Sequence, residues 1–216
     1  MPTQLLIATG NAGKVKEIRH EFHLAAAHHS FLASIEILGL KDLPHPLPEC
    51  VEDRPTFIGN ATKKSRHYAS LSGLLTLADD SGLCVDALGG APGVLSARYA
   101  GITGYGADAA NNAKLLQAIG DIPDDQLQAR FVCAMAVSQP HADLAVVVDD
   151  VPGRLLRAPR GENGFGYDPL FYFPAFGKST AELDMTTKSQ ISHRGKALRR
   201  MIAWLGSSKL LKSGGT

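Results

Sequence analysis

The chain has 216 residues, of which 44% are hydrophobic and 20% are charged, and its 22 Lys and Arg residues against 21 Asp and Glu residues give a formal net charge of +1. This composition is typical of a soluble globular protein and excludes a disordered, collagen-like, coiled-coil or disulfide-scaffold protein. The near-neutral balance argues against a protein that coats nucleic acid through a basic surface. A polyanionic ligand would therefore be bound at one local site.

Cysteine usage and the N-terminus predict the compartment. Cys50, Cys84 and Cys133 lack the paired spacing of a disulfide framework or a zinc site, so we expect buried free thiols. The N-terminus has no basic segment followed by a long apolar one, and no apolar run approaches the ~20 residues of a membrane span. We expect a cytoplasmic protein that binds neither membrane nor nucleic acid.

Hydrophobic periodicity predicts alternating strands and helices in the first third of the chain. In chain order these are a strand at 5–8, a helix at 14–27, a strand at 35–38, a proline-rich exposed connector at 41–55, a helix that starts with Pro55 in its first turn, and a strand at 74–78. The strand at 74–78 meets the segment Asp79-Asp80-Ser81-Gly82 at its end.

The remainder predicts a mixed α/β arrangement with antiparallel pairs. It comprises a strand at 83–87, a helix at 107–119, strands at 128–138 and 143–150 joined in a hairpin at Pro140-His141, a further strand at 154–157, a glycine-rich loop at 158–169, a strand at 170–173 and a helix at 193–205. No repeat or linker separates two independent domains. We therefore expect one domain over 1–206 and a frayed tail at 207–216.

Two clusters in the first half can handle phosphate and a cation. Thr9-Gly10-Asn11-Ala12-Gly13-Lys14, between a strand and a helix, offers backbone N–H groups, a helix start and a lysine to a phosphate, although an ordinary capped turn has the same appearance. Asp79 and Asp80 adjoin an apolar strand, where carboxylates need solvent or a cation, and Mg²⁺ takes one or two such ligands. An acidic turn is the alternative, and Glu52 and Asp53 offer further carboxylates.

Two clusters in the second half can bind a nucleoside. In Gly164-Phe165-Gly166-Tyr167-Asp168-Pro169, two aromatic residues and an acid can form a flat slot with one polar end, which suits a nucleobase. An aromatic loop that closes the core is the alternative. Lys188 and the segment Ser192-His193-Arg194-Gly195 place basic residues at a helix start, where the helix dipole disfavours them unless an anion binds. A solvated basic turn explains them equally well.

The order of these motifs resembles the HAM1/inosine triphosphate pyrophosphatase family, the noncanonical purine NTP pyrophosphatases (XTP/dITP diphosphatases). The matching segments lie at 9–17, 56–61, 78–83, 89–93, 96–99, 164–169 and 192–195 and span nearly the whole chain. The resemblance implies hydrolysis of XTP, ITP and dITP to the monophosphate and pyrophosphate. It also implies an elongated mixed β-sheet with flanking helices that form two lobes around a central cleft, Mg²⁺ as cofactor and a homodimer.

The same resemblance implies roles for individual residues. Asp80 matches the proton acceptor and contacts magnesium together with Glu52. The substrate contacts it implies are Thr9, Gly10, Asn11, Ala12, Gly13, Lys14, Lys64, Ser81, Phe165, Gly166, Tyr167, Asp168, Lys188, His193 and Arg194. Three positions depart from the family pattern: Arg54 replaces a frequent Gly, Gly59 a frequent Glu, and Thr187 a frequent Glu.

The implied mechanism has Asp80 accept a proton from a water that attacks the α-phosphorus, while Lys14 and the first turn hold the leaving pyrophosphate. Two alternatives stay open at this point. A Maf-type nucleotide pyrophosphatase would share the architecture and act on other bases, and a nucleotide-binding regulator would bind without hydrolysis.

Overall fold

The computed structural model describes residues 3–208, which form seven strands and five α-helices, joined by short 3₁₀ turns. The strands are β1 Thr3–Ile7, β2 Ile35–Gly39, β3 Leu75–Val85, β4 Gln128–Gln139, β5 Ala142–Leu155, β6 Phe171–Phe173 and β7 Lys178–Ser179. The helices are α1 Ala12–Ala26, α2 Phe57–Ser72, α3 Ala107–Ile119, α4 Met185–Ile191 and α5 His193–Ser207. Of the predicted tail, residues 209–216 lie outside the described residues.

The strands form one mixed sheet in the order β2-β1-β3-β4-β5-β6-β7. Strand β1 pairs in parallel with β2 and with β3, whereas β5–β6 and β6–β7 are antiparallel. The connection of two residues between β4 and β5 is the hairpin predicted at Pro140-His141. The α/β fold with a mixed sheet and flanking helices is thereby confirmed.

Strand β1 ends in the apolar run Leu5–Ile7 because both faces of this part of the strand are covered. Leu5 and Ile7 lie in a core cluster with Ile18 of α1 and with α5, whereas Leu6 packs in a second cluster that contains Tyr68 of α2. Alternate residues of a strand point to opposite faces, so helices on both sides require a continuous apolar run. The turn after β1 and the start of α1 therefore lie at the carboxyl ends of the parallel strands β1, β2 and β3.

The described chain divides into two compact units. The first contains the residues up to Asp80, Cys133–Asp149 and those from Arg194, and the second contains Ser81–Val132 and Asp150–His193. The second unit has its own core, in which Leu115 and Ile119 of α3 pack with Leu83, Val85 and Phe171. The single-domain boundary at residue 206 stays a prediction, and α5 continues to Ser207.

The structure corrects several predicted boundaries. The predicted end of a strand at residue 78 is wrong, because β3 runs unbroken from Leu75 to Val85 through Asp79-Asp80-Ser81-Gly82, and the alternative of an acidic turn there is wrong for the same reason. The predicted start of the second helix at Pro55 is also wrong, because the hydroxyl of Thr56 caps α2 by accepting a hydrogen bond from the Gly59 N–H. The segment 154–157 belongs in part to β5, and β7 and α4 were not predicted.

The three cysteines are free and buried, as predicted. Within residues 3–208, none of the helices combines the length and the hydrophobicity that spanning a membrane requires.

Candidate active site

The turn between β1 and α1 is held by its own side chains. The Asn11 carboxamide oxygen accepts a hydrogen bond from the Lys14 N–H at 3.0 Å, and the Thr9 hydroxyl accepts one from the Asn11 N–H at 3.2 Å. The first is an ordinary N-cap contact of α1, and the second is a side-chain turn that precedes the cap. At Gly10, no described heavy atom lies within 4 Å of where a Cβ would be, so the turn is open on that side. The local geometry is that of a capped helix start, and the contacts of Lys14 show which charged groups lie next to it.

Lys14 is turned toward a carboxylate on β3. Its Nζ lies 3.1 Å from Oδ2 of Asp79, and the Arg194 guanidinium reaches the same oxygen through Nε and Nη2 at 3.3 Å. Arg194 also donates through Nη1 to Glu17 at 2.5 Å. These contacts join four charged side chains of the first unit in one network. Arg194, 3% exposed, and Asp79, 1% exposed, are buried at its centre, and Lys14 and Glu17 are half-buried.

The charges of this network fix its protonation. Burial acts to raise the pKa of Asp79, but the nearby charges of Lys14, Arg194 and Lys64 outweigh it and hold that pKa well below its usual range. Burial acts to lower the pKa of Arg194, but Glu17 and Asp79 outweigh it and raise that pKa. Asp79 is therefore an ionised anchor, and not a proton acceptor at neutral pH.

Asp80, the next residue along β3, is in the opposite situation. Desolvation by burial raises its pKa from 3.8 to about 6, and Lys14 and Lys64 only partly counter this. Its Oδ2 is buried and has no hydrogen-bond partner among the described residues. Successive side chains of a strand point to opposite faces, which explains why the two aspartates have different surroundings. A carboxylate with a pKa near neutrality and a spare buried oxygen suits proton transfer and cation binding.

Lys64 of α2 adds a second lysine beside Asp80. It is buried and forms a close ion pair with Glu52. Burial acts to lower the pKa of Lys64, but the charges of Glu52, Asp79 and Asp80 raise it. The charge of Glu52 in turn helps to raise the pKa of Asp80, so the two carboxylates lie within electrostatic reach of each other.

These residues fit a magnesium ion with few protein ligands. Among residues 3–208, no group of three or more His, Cys, Asp or Glu side chains could hold a metal by themselves. Mg²⁺ commonly takes one or two carboxylates and completes its shell with water and phosphate oxygens. The spare oxygen of Asp80, with Glu52 nearby, is a donor set of that kind.

Asp80 is expected to make metal-free protein less stable as the pH rises. Its folded pKa near 6 lies above its ordinary value of 3.8, so between these values the folded state binds more protons and stability falls with rising pH. Asp80→Asn should remove this loss, which amounts to roughly 3 kcal/mol. Urea unfolding in EDTA should show the variant to be the more stable protein at pH 7.5 and no advantage at pH 4; an advantage independent of pH would contradict the assignment.

In the second unit, an ion pair organises the segment predicted to bind a base. Oδ2 of Asp168 accepts hydrogen bonds from the Phe165 N–H at 2.9 Å and from Lys188 Nζ at 2.5 Å. The Lys188 ammonium also lies over the Phe165 ring, 5.0 Å from its centroid. Asp168 and Lys188 are buried, whereas Phe165 is half-buried. The structure thus brings Phe165 and Asp168 of the predicted base-binding segment together with Lys188, a further predicted substrate contact.

Three other predicted substrate contacts, Tyr167, His193 and Ser81, are wholly or partly buried among other residues of the protein. Tyr167 is buried in the core of the second unit, and its hydroxyl donates to the Ser96 carbonyl at 2.9 Å. His193 is the first residue of α5, and its ring stacks on that of Phe131, with 4.8 Å between ring centroids and an interplanar angle of 14°. Ser81 is half-buried in β3, immediately after Asp80. That these side chains contact substrate stays a prediction.

Sequence reasoning did not identify several residues that hold these groups. They are Glu17, Asn60, Ser96, Asp108, Asn112 and Phe131. Glu17 follows Lys14 by three residues, a spacing that puts both on one side of α1, and this signal was available. The partners of the others are distant in sequence, so only the fold reveals them.

Two departures from the family pattern, Arg54 and Gly59, compensate each other. A Cβ at position 59 would lie 2.9 Å from Arg54 Cβ and 3.0 Å from the Thr56 hydroxyl oxygen. The arginine side chain therefore occupies the space that a side chain at 59 would need. The third departure, Thr187, lies in the first turn of α4, one residue before Lys188. The carboxylate of Asp184 caps this helix by accepting hydrogen bonds from the Thr187 N–H and hydroxyl, both at 2.8 Å.

The Arg54 and Gly59 pair can be tested by a double-mutant cycle. An exposed Gly→Ala change in a helix normally stabilises by about 1 kcal/mol, but Gly59→Ala should destabilise this protein because of the close approach to Arg54. In the Arg54→Gly background the same change should be more favourable by at least about 1 kcal/mol. Urea denaturation of the four proteins measures this coupling, and additive effects would contradict the compensation.

Comparisons with known proteins agree with this architecture. The profile of the Ham1 family matches residues 5–204. A dITP/XTP pyrophosphatase of Lactiplantibacillus plantarum is 47% identical over 201 residues, covering 93% of this chain and 94% of the relative, and one of Lactobacillus acidophilus is 45% identical over 205 residues, covering 94% and 96%. The structure of a HAM1 protein from Coxiella burnetii superposes with a TM-score of 0.80 at 36% identity, covering 95% of this chain and 100% of that one. With the family profile and these relatives spanning nearly its full length, the chain belongs to the Ham1 family.

Proposed function

We propose that this protein hydrolyses noncanonical purine nucleoside triphosphates, XTP, ITP and dITP, to the monophosphate and pyrophosphate, and so removes them from the nucleotide pool. The names of its relatives support the substrate class. The observation that carries the chemistry is Asp80, a buried carboxylate with a pKa near 6 and an oxygen without a hydrogen-bond partner among residues 3–208. Two lysines beside it supply the charge that a triphosphate requires.

In this proposal Asp80 accepts the proton of the attacking water. A carboxylate with an ordinary pKa of 3.8 is a weak base at neutral pH, and burial brings Asp80 closer to the pH at which it works. The water attacks the α-phosphorus, its oxygen becomes part of the nucleoside monophosphate, and the bond between the α-phosphorus and the bridging oxygen breaks. Lys14 and Lys64 balance the negative charge on the departing pyrophosphate.

Magnesium completes this assignment as the proposed cofactor. Asp80 and Glu52 would hold the ion, and Lys64 orients Glu52 through their ion pair. Bound Mg²⁺ neutralises charge on the triphosphate oxygens. The role of Asp79 is separate, because its oxygen is engaged by Lys14 and Arg194 and orients both cations.

Base selection is assigned to Phe165, Asp168 and Lys188. The exposed part of the Phe165 ring offers a stacking surface, and the ion pair beside it carries an N–H donor and a carboxylate acceptor. A 6-oxo purine with N1–H presents the matching acceptor and donor at its edge. A 6-amino purine presents the reverse pattern, so its binding would bury polar groups without partners, which is costly.

Pyrophosphate release from ATP, GTP, CTP, UTP, ITP, XTP and dITP, each with Mg²⁺ and with EDTA, tests the proposal. We expect release from ITP, XTP and dITP at least 10²-fold above ATP in kcat/KM, and loss of activity in EDTA. GTP shares the 6-oxo edge with N1–H, so its exclusion would have to act on its 2-amino group. Preference for pyrimidine or other modified triphosphates would indicate a Maf-type specificity. Binding of ITP without pyrophosphate release would indicate a nucleotide-binding regulator.

We also propose a cytoplasmic homodimer. Three buried free thiols support a reducing compartment, and the family resemblance supports the dimer. Light scattering coupled to size-exclusion chromatography should give a mass twice the 22.9 kDa of the chain, and a monomer mass at micromolar concentration would contradict it.

A further inference from the structure

Helix α3 holds the base loop, here defined as Gly164–Asp168, at a single residue. The Gly166 N–H donates to Oδ2 of Asp108 at 2.8 Å, and the Gly166 carbonyl accepts a hydrogen bond from Nδ2 of Asn112 at 2.9 Å. Both backbone polar groups of Gly166 are therefore bound by side chains of one helix. Asp108 and Asn112 are four residues apart, so they lie one above the other on the same face of α3.

The chemistry of this clamp fixes its orientation. A carbonyl oxygen can only accept, so the carboxamide of Asn112 must present its nitrogen to Gly166. Asp108 can only accept when ionised, so it must face the N–H. An acceptor and a donor at this spacing therefore recognise the N–H and the carbonyl of one residue in one orientation, and a shift of the loop by one residue would break both contacts.

Gly166 is the residue at which such a clamp has most influence on Phe165. Its φ is +62°, in the left-handed region that a side chain disfavours, and it directly follows the ring proposed to stack on the base. On its other side, Phe165 is tied through its N–H to Asp168, which also binds Lys188. Without the contacts from α3, one side of Phe165 would be anchored and the other would be joined to a flexible glycine.

We propose that Asp108 and Asn112 are positioning residues for base selection: by holding Gly166, they fix the Phe165 ring relative to the Asp168–Lys188 pair. This inference rests on the proposed function. Neither side chain contacts the base in the proposal, and both act through the loop. Small displacements of binding groups cost large factors in rate, up to about 10²-fold for 1 Å, so a loosened loop should lose discrimination before it loses chemistry.

The test compares Asp108→Ala and Asn112→Ala with wild type in kcat/KM for ITP and for ATP. We expect the ITP-to-ATP ratio to fall at least tenfold, mainly through a higher KM for ITP. Asp108→Asn keeps an acceptor for the Gly166 N–H and should retain the ratio within about twofold. Gln117→Ala, on the exposed face of the same helix, is the matched control and should behave as wild type.

The ratio separates positioning from damage to the fold. A variant that is only partly folded loses active molecules for every substrate alike, so its ratio stays that of wild type. An unchanged ratio in both alanine variants would overturn the inference.

Amide hydrogen exchange of the peptide 162–170, measured without substrate, provides a second readout. We expect faster exchange in both alanine variants and wild-type exchange in Gln117→Ala; unchanged exchange in the alanine variants would also overturn the inference. If wild type releases no pyrophosphate from any purine triphosphate, the proposed function fails and base selection fails with it. The exchange data then still decide whether the clamp exists.

Discussion

Asp80→Asn is expected to lower kcat for pyrophosphate release from ITP by about 10²- to 10⁴-fold, the range that a positioned general base contributes. The asparagine has nearly the same shape but cannot accept the proton of the attacking water, and it is a poor ligand for Mg²⁺ compared with a carboxylate. Since burial of this carboxylate costs stability at neutral pH, the variant should fold at least as well as wild type. Steady-state kinetics at saturating Mg²⁺ measure the loss.

A matched control comes from another Asp-Asp pair in the chain, Asp149-Asp150. Asp150 follows Asp149 in β5 and is exposed, so Asp150→Asn changes the same charge without touching the proposed site. It should keep kcat within about twofold, as surface substitutions usually do. If Asp80→Asn retained more than a tenth of wild-type turnover, Asp80 would not be the proton acceptor.

Arg194→Met is expected to lower the free energy of unfolding by about 3–5 kcal/mol, because it leaves buried carboxylates without their cation. Arg194 bridges Asp79 and Glu17. In the variant, Asp79 keeps its ion pair with Lys14 but loses the one with residue 194. The lowered pKa of Asp79 contributes stability above its ordinary value of 3.8. The deficit should therefore be fully present at neutral pH and narrow only as the pH falls below 3.8.

Arg200→Met provides the control for this prediction. Arg200 is one and a half turns further along α5, and its exposed guanidinium pairs with Asp149 at 2.9 Å. Exposed pairs contribute about 0–1 kcal/mol, so urea unfolding should barely distinguish this variant from wild type. Equal effects of the two substitutions would mean that the buried network does not stabilise the fold.

Much of the fold follows from local sequence signals. The helix over 107–119 was predicted with its observed bounds, and the hairpin at Pro140-His141 was predicted with its turn. In both places periodicity and turn residues agree with the tertiary structure. The short helix α4 escaped prediction because its seven residues carry little periodicity and its cap depends on contacts between Asp184 and Thr187.

The strand end predicted at residue 78 shows why local rules fail at the candidate site, residues 79–82 included. Two acids, a serine and a glycine in succession favour a turn when the chain is considered alone. In the folded chain, residues 79–82 remain in β3. Lys14 and Arg194 neutralise Asp79. Gly82 leaves room for the Ser96 hydroxyl oxygen, which lies 2.3 Å from the point where a Cβ of residue 82 would be. The compensating residues are distant in sequence, so the strand could not be predicted from its own residues.

The roles of the two aspartates could not be separated from sequence for the same reason. The pair predicts a cation or proton-transfer site, but which member is the anchor depends on the charges around each. The structure gives Asp79 the lysine and the arginine, and leaves Asp80 a pKa near 6. The clamp of Asp108 and Asn112 on Gly166 likewise joins residues more than fifty positions apart.

The most direct test of the central claim is hydrolysis of ITP in water enriched in ¹⁸O, followed by mass spectrometry of both products. Attack on the α-phosphorus by the water that Asp80 deprotonates places one ¹⁸O atom in inosine monophosphate and none in pyrophosphate, which is the result we predict. Label in the pyrophosphate, or release of inorganic phosphate with inosine diphosphate, would contradict it.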